Sequence, residues 1–284
     1  MKLRGAVAAL ISGLMFFGTL YAFQKPWREY PATEYNNFPM PTDGKVPAEW
    51  VFARIMYPPG PLDGYSSTGR FTGDYRLGAS LWTQDYPRAD RHFSRAIRRL
   101  TRIDARSAEQ VTNLDDDDVF NWPWIYAVQV GEWGMTEKEG AVLREFLQRG
   151  GFFMADDFHG NAEWAEFLYR MQLYVFPDRP LTELLRNDMP DDDPYFHAVF
   201  DVKDRPQIVG ADHLRDGCKA CNNGGKGAHW RAIYDDKGRV MVGISYNSDM
   251  GDAWEYADSP YYPEHMSDQA IRITVNSVVY AMTH

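Results

Sequence analysis

The chain is predicted to fold as an α/β domain around a mostly parallel sheet, and three observations carry that prediction. Short apolar runs rich in β-branched and aromatic residues alternate with segments of helical periodicity, in the order strand, helix, strand, helix. The apolar run at 152–155 ends abruptly in Asp156, Asp157 and His159, as a buried strand does when it delivers polar side chains to a cleft beyond its carboxyl end. The 284 residues are 44% hydrophobic and 15% aromatic, which is enough for a sizeable core and too much for a disordered chain.

The N-terminus is read first. Lys2 and Arg4 precede an apolar run from Ala6 to Phe23, and Lys25, Pro26 and Trp27 close it. Residues 1–23 therefore read as a secretory signal peptide or as an uncleaved membrane anchor. Leu20 is a poor residue for a cleavage site after Ala22. In both readings the remainder is exported, to the periplasm or another extracytoplasmic space, and touches a membrane only through this segment. Residues 24–48, rich in Pro, Asn and Tyr without a period, read as a linker. The α/β domain is expected over 49–284.

Residues 49–57 (EWVFARIMY) are mostly apolar and read as a buried strand, stopped by Pro58-Pro59-Gly60. A long loop to about residue 87 is of the kind that carries function or moves. Residues 89–103 are a helix, with Phe93, Ile97 and Leu100 toward the core. Arg91, Arg95, Arg98, Arg99 and Arg102 crowd the rest of its surface, as a solvated face or an anion site. The acidic run 115–118 lacks the Gly and closing Glu of a helix-loop-helix calcium loop and reads as a solvated turn. A second strand is expected at 125–130. Thr136-Glu-Lys-Glu139 opens a helix with a capping box and Gly150 closes it. A strand at 152–155 and a helix at 162–173 follow. Short strands are expected at 197–202 and 207–209, a hairpin at 231–234 and 239–246, and a closing helix at 267–282.

Charge limits the partners. Forty acidic against 30 basic residues give a formal net charge of -10, so nucleic acid is not an expected partner. The two cysteines, Cys218 and Cys221, sit in a glycine-rich stretch at 210–229 that reads as an inserted loop. In an oxidising compartment they most simply form a local disulfide bond. Asn222 after the second cysteine argues against haem attachment, and the flanking His213 and His229 leave a Cys2His2 zinc site open.

Several strings together resemble a known bacterial family, domain of unknown function 4159. They are FARIMY at 52–57, WPWIY at 122–126, EGAVLREFLQRGGFFMADDFHG at 139–160, FPDRPL at 176–181, YNSD at 246–249 and NSVVYA at 276–281. The resemblance covers about residues 50–283, and the 139–160 string is its most specific part. It implies a flavodoxin-like, class I glutamine amidotransferase-like three-layer sandwich, and it implies no reaction. The family's association with AAA-type ATPases and von Willebrand A proteins implies assembly or surface complexes. The turn where amidotransferases keep a nucleophilic cysteine corresponds to residues 156–160, and no Cys or Ser stands there. Nor does a Gly-x-Ser-x-Gly elbow occur, so amidotransferase and serine-hydrolase chemistry are both disfavoured.

Three readings of the acidic strand end stay open. Asp156 and Asp157 can cap backbone N–H groups at the turn and the next helix. They can join a divalent metal site with His159 and His197, helped by Asp249 or His265, although the sequence requires no cofactor. Or Asp156, Asp157, His159, Asp249 and Trp254 can line a site for a carbohydrate-like ligand. Strand alternation sends Asp156 and Asp157 to opposite faces, so only one of them is expected to face a cleft, and Asp157 with His159 is the expected pair. The role expected is binding or assembly at the cell envelope, with envelope proteins or a carbohydrate-like ligand as partners. The alternative is a metal- or carboxylate-dependent hydrolase acting on an envelope or extracellular carbohydrate.

Overall fold

The computed structural model describes residues 26–284 apart from 36–37, 64–72, 116, 219–220 and 226. The expected signal or anchor at 1–23 lies outside the described residues. Among the described residues no helix is long and apolar enough to cross a membrane.

The strands are β1 (Ala53–Met56), β2 (Gln110–Asn113), β3 (Trp124–Val128), β4 (Phe152–Asp156), β5 (Leu185–Arg186), β6 (His229–Tyr234) and β7 (Val240–Tyr246). They form one sheet in the order β2-β1-β3-β4-β7-β6-β5. From β2 to β7 every pairing is parallel, and β6 and β5 complete an antiparallel edge. The helices are α1 (Arg88–Leu100), α2 (Glu137–Gln148), α3 (Gly160–Arg170), α4 (Leu181–Leu184), α5 (Ala211–Arg215), α6 (Met250–Glu255) and α7 (Glu264–Thr283).

The sheet is buried on both faces, which is why β1, β3 and β4 read as continuous apolar runs. On one face Ile55, Ile125 and Phe153 pack with Leu143 and Phe146 of α2 and Phe167 of α3. On the other, Phe52, Trp124, Tyr126 and Met154 pack with Phe93 of α1, Trp254 of α6 and Ile273 of α7. The result is the expected three-layer α/β fold.

The capping box of α2 is present: Thr136 Oγ1 accepts from the Glu139 amide at 3.2 Å, and the Glu139 carboxylate accepts from the Thr136 amide at 2.7 Å. Thr136→Ala is expected to cost about 1 kcal/mol. A urea midpoint unchanged from wild type would show that this cap does not stabilise the helix.

Several expectations are corrected. Residues 197–202 and 207–209 are not strands, because side chains supply the partners a ladder would have supplied. The Val199 and Phe200 amides both donate to Asn276 Oδ1, and Asn276 Nδ2 donates to the Phe200 carbonyl. The Ile208 amide donates to Ser248 Oγ. The helix expected at 162–173 starts two residues earlier, and its last turn widens into a π turn at Met171–Val175. Arg91 is not on the solvated face of α1. It is fully buried, donating to Glu109 through Nε at 3.0 Å and to Glu29 through Nη2 at 2.6 Å.

That last bond belongs to a larger feature. The described part of the segment read as a linker is laid along the domain as a strap. The Ala79 amide donates to the Pro31 carbonyl at 2.7 Å, the Tyr30 amide to the Tyr86 hydroxyl at 3.2 Å, and Arg91 Nη1 to the Phe38 carbonyl at 2.8 Å.

Candidate functional site

The chain leaves β1 toward β2 on one side and β3 toward β4 on the other. α1 and α2 accordingly pack on opposite faces of the sheet. Loops diverge at such a switch point, and a crevice opens beyond the carboxyl ends of the strands. A cleft of about 370 Å³ lies there. The segments after β1, β3, β4 and β7 bring Asp85, Gln129, Asp157 and Asp249 to its wall. Each strand end turns sharply: Gln129 (φ 49°), Asp157 (φ 49°) and Asn247 (φ 57°) all take the left-handed conformation, as does Asp85 (φ 60°). Asn and Asp reach that region more readily than other side chains.

Asp85 is held in place from below. Arg54 of β1 is fully buried, and its Nε and Nη2 bind the buried carboxylate of Asp90 on α1. Its Nη1 donates to the carbonyls of Trp82 and Gln84, both at 3.1 Å. A guanidinium that organises the backbone on either side of residue 83 fixes where Asp85 emerges.

The two carboxylates at the end of β4 part as alternation requires. Asp156 turns inward and is fully buried. It accepts from the Tyr126 hydroxyl at 2.8 Å, from Ser245 Oγ, and from the Met250 and Gly251 amides at 3.1 and 3.0 Å. It therefore caps the N-terminus of α6, not that of α3, and does not reach the cleft. Burial raises its pKa to about 6, against the hydrogen bonds that lower it.

Asp157 turns outward to the cleft and meets His159, with Asp157 Oδ1 3.0 Å from Nε2. His159 Nδ1 lies 2.8 Å from the Cys221 carbonyl. Both ring nitrogens thus face acceptors, an arrangement that favours the imidazolium, which donates from both. Burial lowers the His159 pKa, but Asp157 and the Cys221 carbonyl outweigh it and the net shift is upward.

The far wall is also acidic. Asp249 caps α6 by accepting from the Asp252 amide at 2.8 Å, and Asp252 accepts from the Ala211 amide at 2.6 Å. Glu34 of the strap accepts from the Asp85 amide at 2.9 Å. Burial raises the Asp85 and Asp249 pKa values well above the usual carboxylate range, and neighbouring carboxylates push both further. Glu255 is raised to about 9, by burial first and then by Glu34 and Asp252. This is an electrostatic environment that favours protons or cations.

The remaining sequence candidates separate from the cleft. Trp254 is fully buried among Phe52, Phe93 and Tyr126, so it is part of the core and not a ligand platform. His197 lies on the surface, bound to Asp201 and to the Asp191 carbonyl, and does not meet His159. Cys218 and Cys221 are joined as a disulfide, so their sulfurs are committed to each other and not to zinc, and His229 pairs with Asp188 instead. The loop that carries the disulfide, read as an insertion, still contributes to the site. Its residues 210–213 wall the cleft and its Cys221 carbonyl holds His159.

A family model described as Domain of unknown function (DUF4159) matches residues 74–282. The chain belongs to this family. No curated protein matches the chain. The span shared with the family holds Asp85, Asp157, Asp249, Asp252 and Glu255, whereas β1 and Glu34 lie before it.

Sequence reasoning missed Asp85, Asp252, Glu255 and Glu34. A signal for two of them existed. Asp249, Asp252 and Glu255 are spaced three apart directly after an apolar strand, which places acidic groups on successive turns of a short helix. Nothing local marks Asp85 or Glu34.

Proposed function

We propose that this is an exported or membrane-anchored member of its family that binds an envelope glycan and lacks amidotransferase activity. The observation that carries this reading is the cleft itself. A carboxylate, Asp157, occupies the strained strand-to-helix turn where an amidotransferase-like fold would keep its nucleophile, and further carboxylates face it. Beside the acidic lining is an aromatic shelf, a second hollow of about 440 Å³ that includes Tyr256, Tyr261 and Tyr262 and shares Ala211, Arg215 and Tyr256 with the cleft. Tyr261 is 95% exposed. Rings that stack on sugar faces beside carboxylates that attract a cation suit a glycan bearing free amines, such as glucosamine units. The Cys218–Cys221 disulfide supports an oxidising, extracytoplasmic setting.

The test is calorimetric titration with chitosan oligosaccharides and with their fully N-acetylated counterparts. The amine-bearing set is expected to bind, and the acetylated set to bind more weakly. Asp157→Asn keeps a residue that tolerates positive φ and removes the charge. It is expected to weaken binding about tenfold or more, the scale of a charge-assisted hydrogen bond. Wild-type protein indifferent to both sugars, or an Asp157→Asn variant that binds as tightly, would end this reading.

A second reading has its own support. Burial, with Asp157 and other carboxylates around it, raises the Asp249 pKa well above the usual carboxylate range, on the same cleft as Asp157. Two carboxyls in different environments can divide acid and base roles in glycoside hydrolysis. A shortened product ladder from the same oligosaccharides, abolished in Asp157→Asn, would favour the hydrolase.

A further inference from the structure

At the edge of the cleft, three carboxylates from distant parts of the chain converge: Glu34 of the strap and Asp85 of the loop before α1, both on the cleft lining, and Glu255 at the end of α6. Each offers an oxygen, and the three oxygens lie within 4.8 Å of one another. Calcium–oxygen distances run to about 2.6 Å, so two oxygens on one ion stand at most about 5 Å apart, and the grouping is on the scale of a shared ion. The second observation is independent of the grouping. Asp85 is about 5% exposed, and its Oδ2 is buried without a hydrogen-bond partner among the described residues. A buried carboxylate oxygen left unpaired is costly, and such an atom calls for an unseen proton, water or ion. Gln129 Oε1, on the wall of the same cleft, is likewise buried and unpaired. The neighbouring guanidinium groups are committed elsewhere: Arg54 to Asp90, and Arg88 to Asp258 and the Tyr35 hydroxyl.

We propose that Glu34, Asp85 and Glu255 form a binding site for one hard divalent cation, of the calcium, magnesium or manganese type. All-oxygen carboxylate ligation selects such ions over zinc or copper. The site has a structural consequence. Glu34 is the only one of the three outside the domain proper, so the ion clasps the N-terminal strap across the mouth between α1 and α6. Tyr35, next in sequence, already donates to Glu255 from the same strap. The test of this site is separate from that of the glycan reading, because Asp157, whose substitution tests that reading, is not one of its three residues.

The experiment uses the exported chain stripped with a chelator and titrated with calcium, magnesium or manganese chloride alone, by calorimetry and by thermal melting. One ion per chain is expected, with a raised melting temperature. Asp85→Asn leaves a residue suited to φ 60° and is expected to weaken binding about tenfold or more; Glu34→Gln, on the surface strap, is expected to do the same. Near-UV circular dichroism confirms that each variant is folded, and Glu34→Gln carries the test if Asp85→Asn is not. Absence of binding by wild type at about 5 mM of each ion, above the weakest range of protein calcium sites, would overturn the proposal. So would wild-type affinity in the folded variants.

Discussion

Asp156→Ala is expected to lower the unfolding free energy by about 3–5 kcal/mol, measured by urea denaturation near pH 5. Four buried donors point at this carboxylate: the Tyr126 and Ser245 hydroxyls and the Met250 and Gly251 amides. Alanine leaves them facing a void, and each buried donor without an acceptor costs about 1–3 kcal/mol before relaxation. The hydroxyls can turn elsewhere, since Ser245 Oγ also lies 3.4 Å from the Ala155 carbonyl, but the two amides are fixed by α6. Asp156→Asn is the informative control. Its side-chain oxygen can serve Tyr126 and the amides while its NH2 donates to Ser245 Oγ. It is therefore expected to be much milder than alanine, and above pH 6 it also removes the cost of a buried negative charge. Equal losses from both variants would mean that charge, not hydrogen bonding, is what α6 requires.

The second large effect concerns pH: the melting temperature at about pH 5.5 is expected to exceed that at about pH 8.5. Asp85, Asp249, Asp252, Asp156 and Glu255 all have folded-state pKa values above their unfolded ones, chiefly through burial. A group raised in this way contributes stability that is complete below its unfolded pKa, near 4, and lost as pH rises through the folded value. For Asp156 the loss runs from about 4 to about 6, and for Glu255 from its ordinary 4.5 to about 9. Glu255 alone covers the interval between the two measurements, and about three pH units of a single titration are worth on the order of 4 kcal/mol. His159, also raised, acts in the same sense as pH climbs above about 6.5. His92, which burial lowers, opposes it below about that pH and is one group against several. A divalent cation at Glu34, Asp85 and Glu255 would replace the protons, so added calcium is expected to flatten the alkaline decline. A melting temperature that stays level or rises toward pH 8.5 in metal-free buffer would contradict this account of the acidic cluster.

Much of the fold was readable because it rests on local pattern. β3, β4 and the β6–β7 hairpin stand out as apolar runs, and α2 announces itself through Thr136 and Glu139. The failures share a cause. β2 (QVTN) carries too little apolar signal to read as a strand and is defined by its parallel register with β1. Residues 197–202 have strand-like composition, yet the Asn276 amide reaches their backbone from α7 before any ladder can. Arg91 reads as one more surface arginine, and only the strap and Glu109 show it to be buried.

The site divides along the same line. By itself the sequence determined that a strand ends in two carboxylates and a histidine, that alternation parts the carboxylates, and that no Cys or Ser stands at the turn. These follow from a period of two and from residue identity, which need no neighbours. Tertiary structure alone decided that Asp156 serves α6, that His159 is held by a carbonyl 62 residues away, and that Glu34, Asp85 and Glu255 meet. Those contacts join segments far apart in the chain, and their energies arise from burial and from mutual charge. Neither exists until the sheet has brought its carboxyl ends together and the N-terminal strap has closed over them.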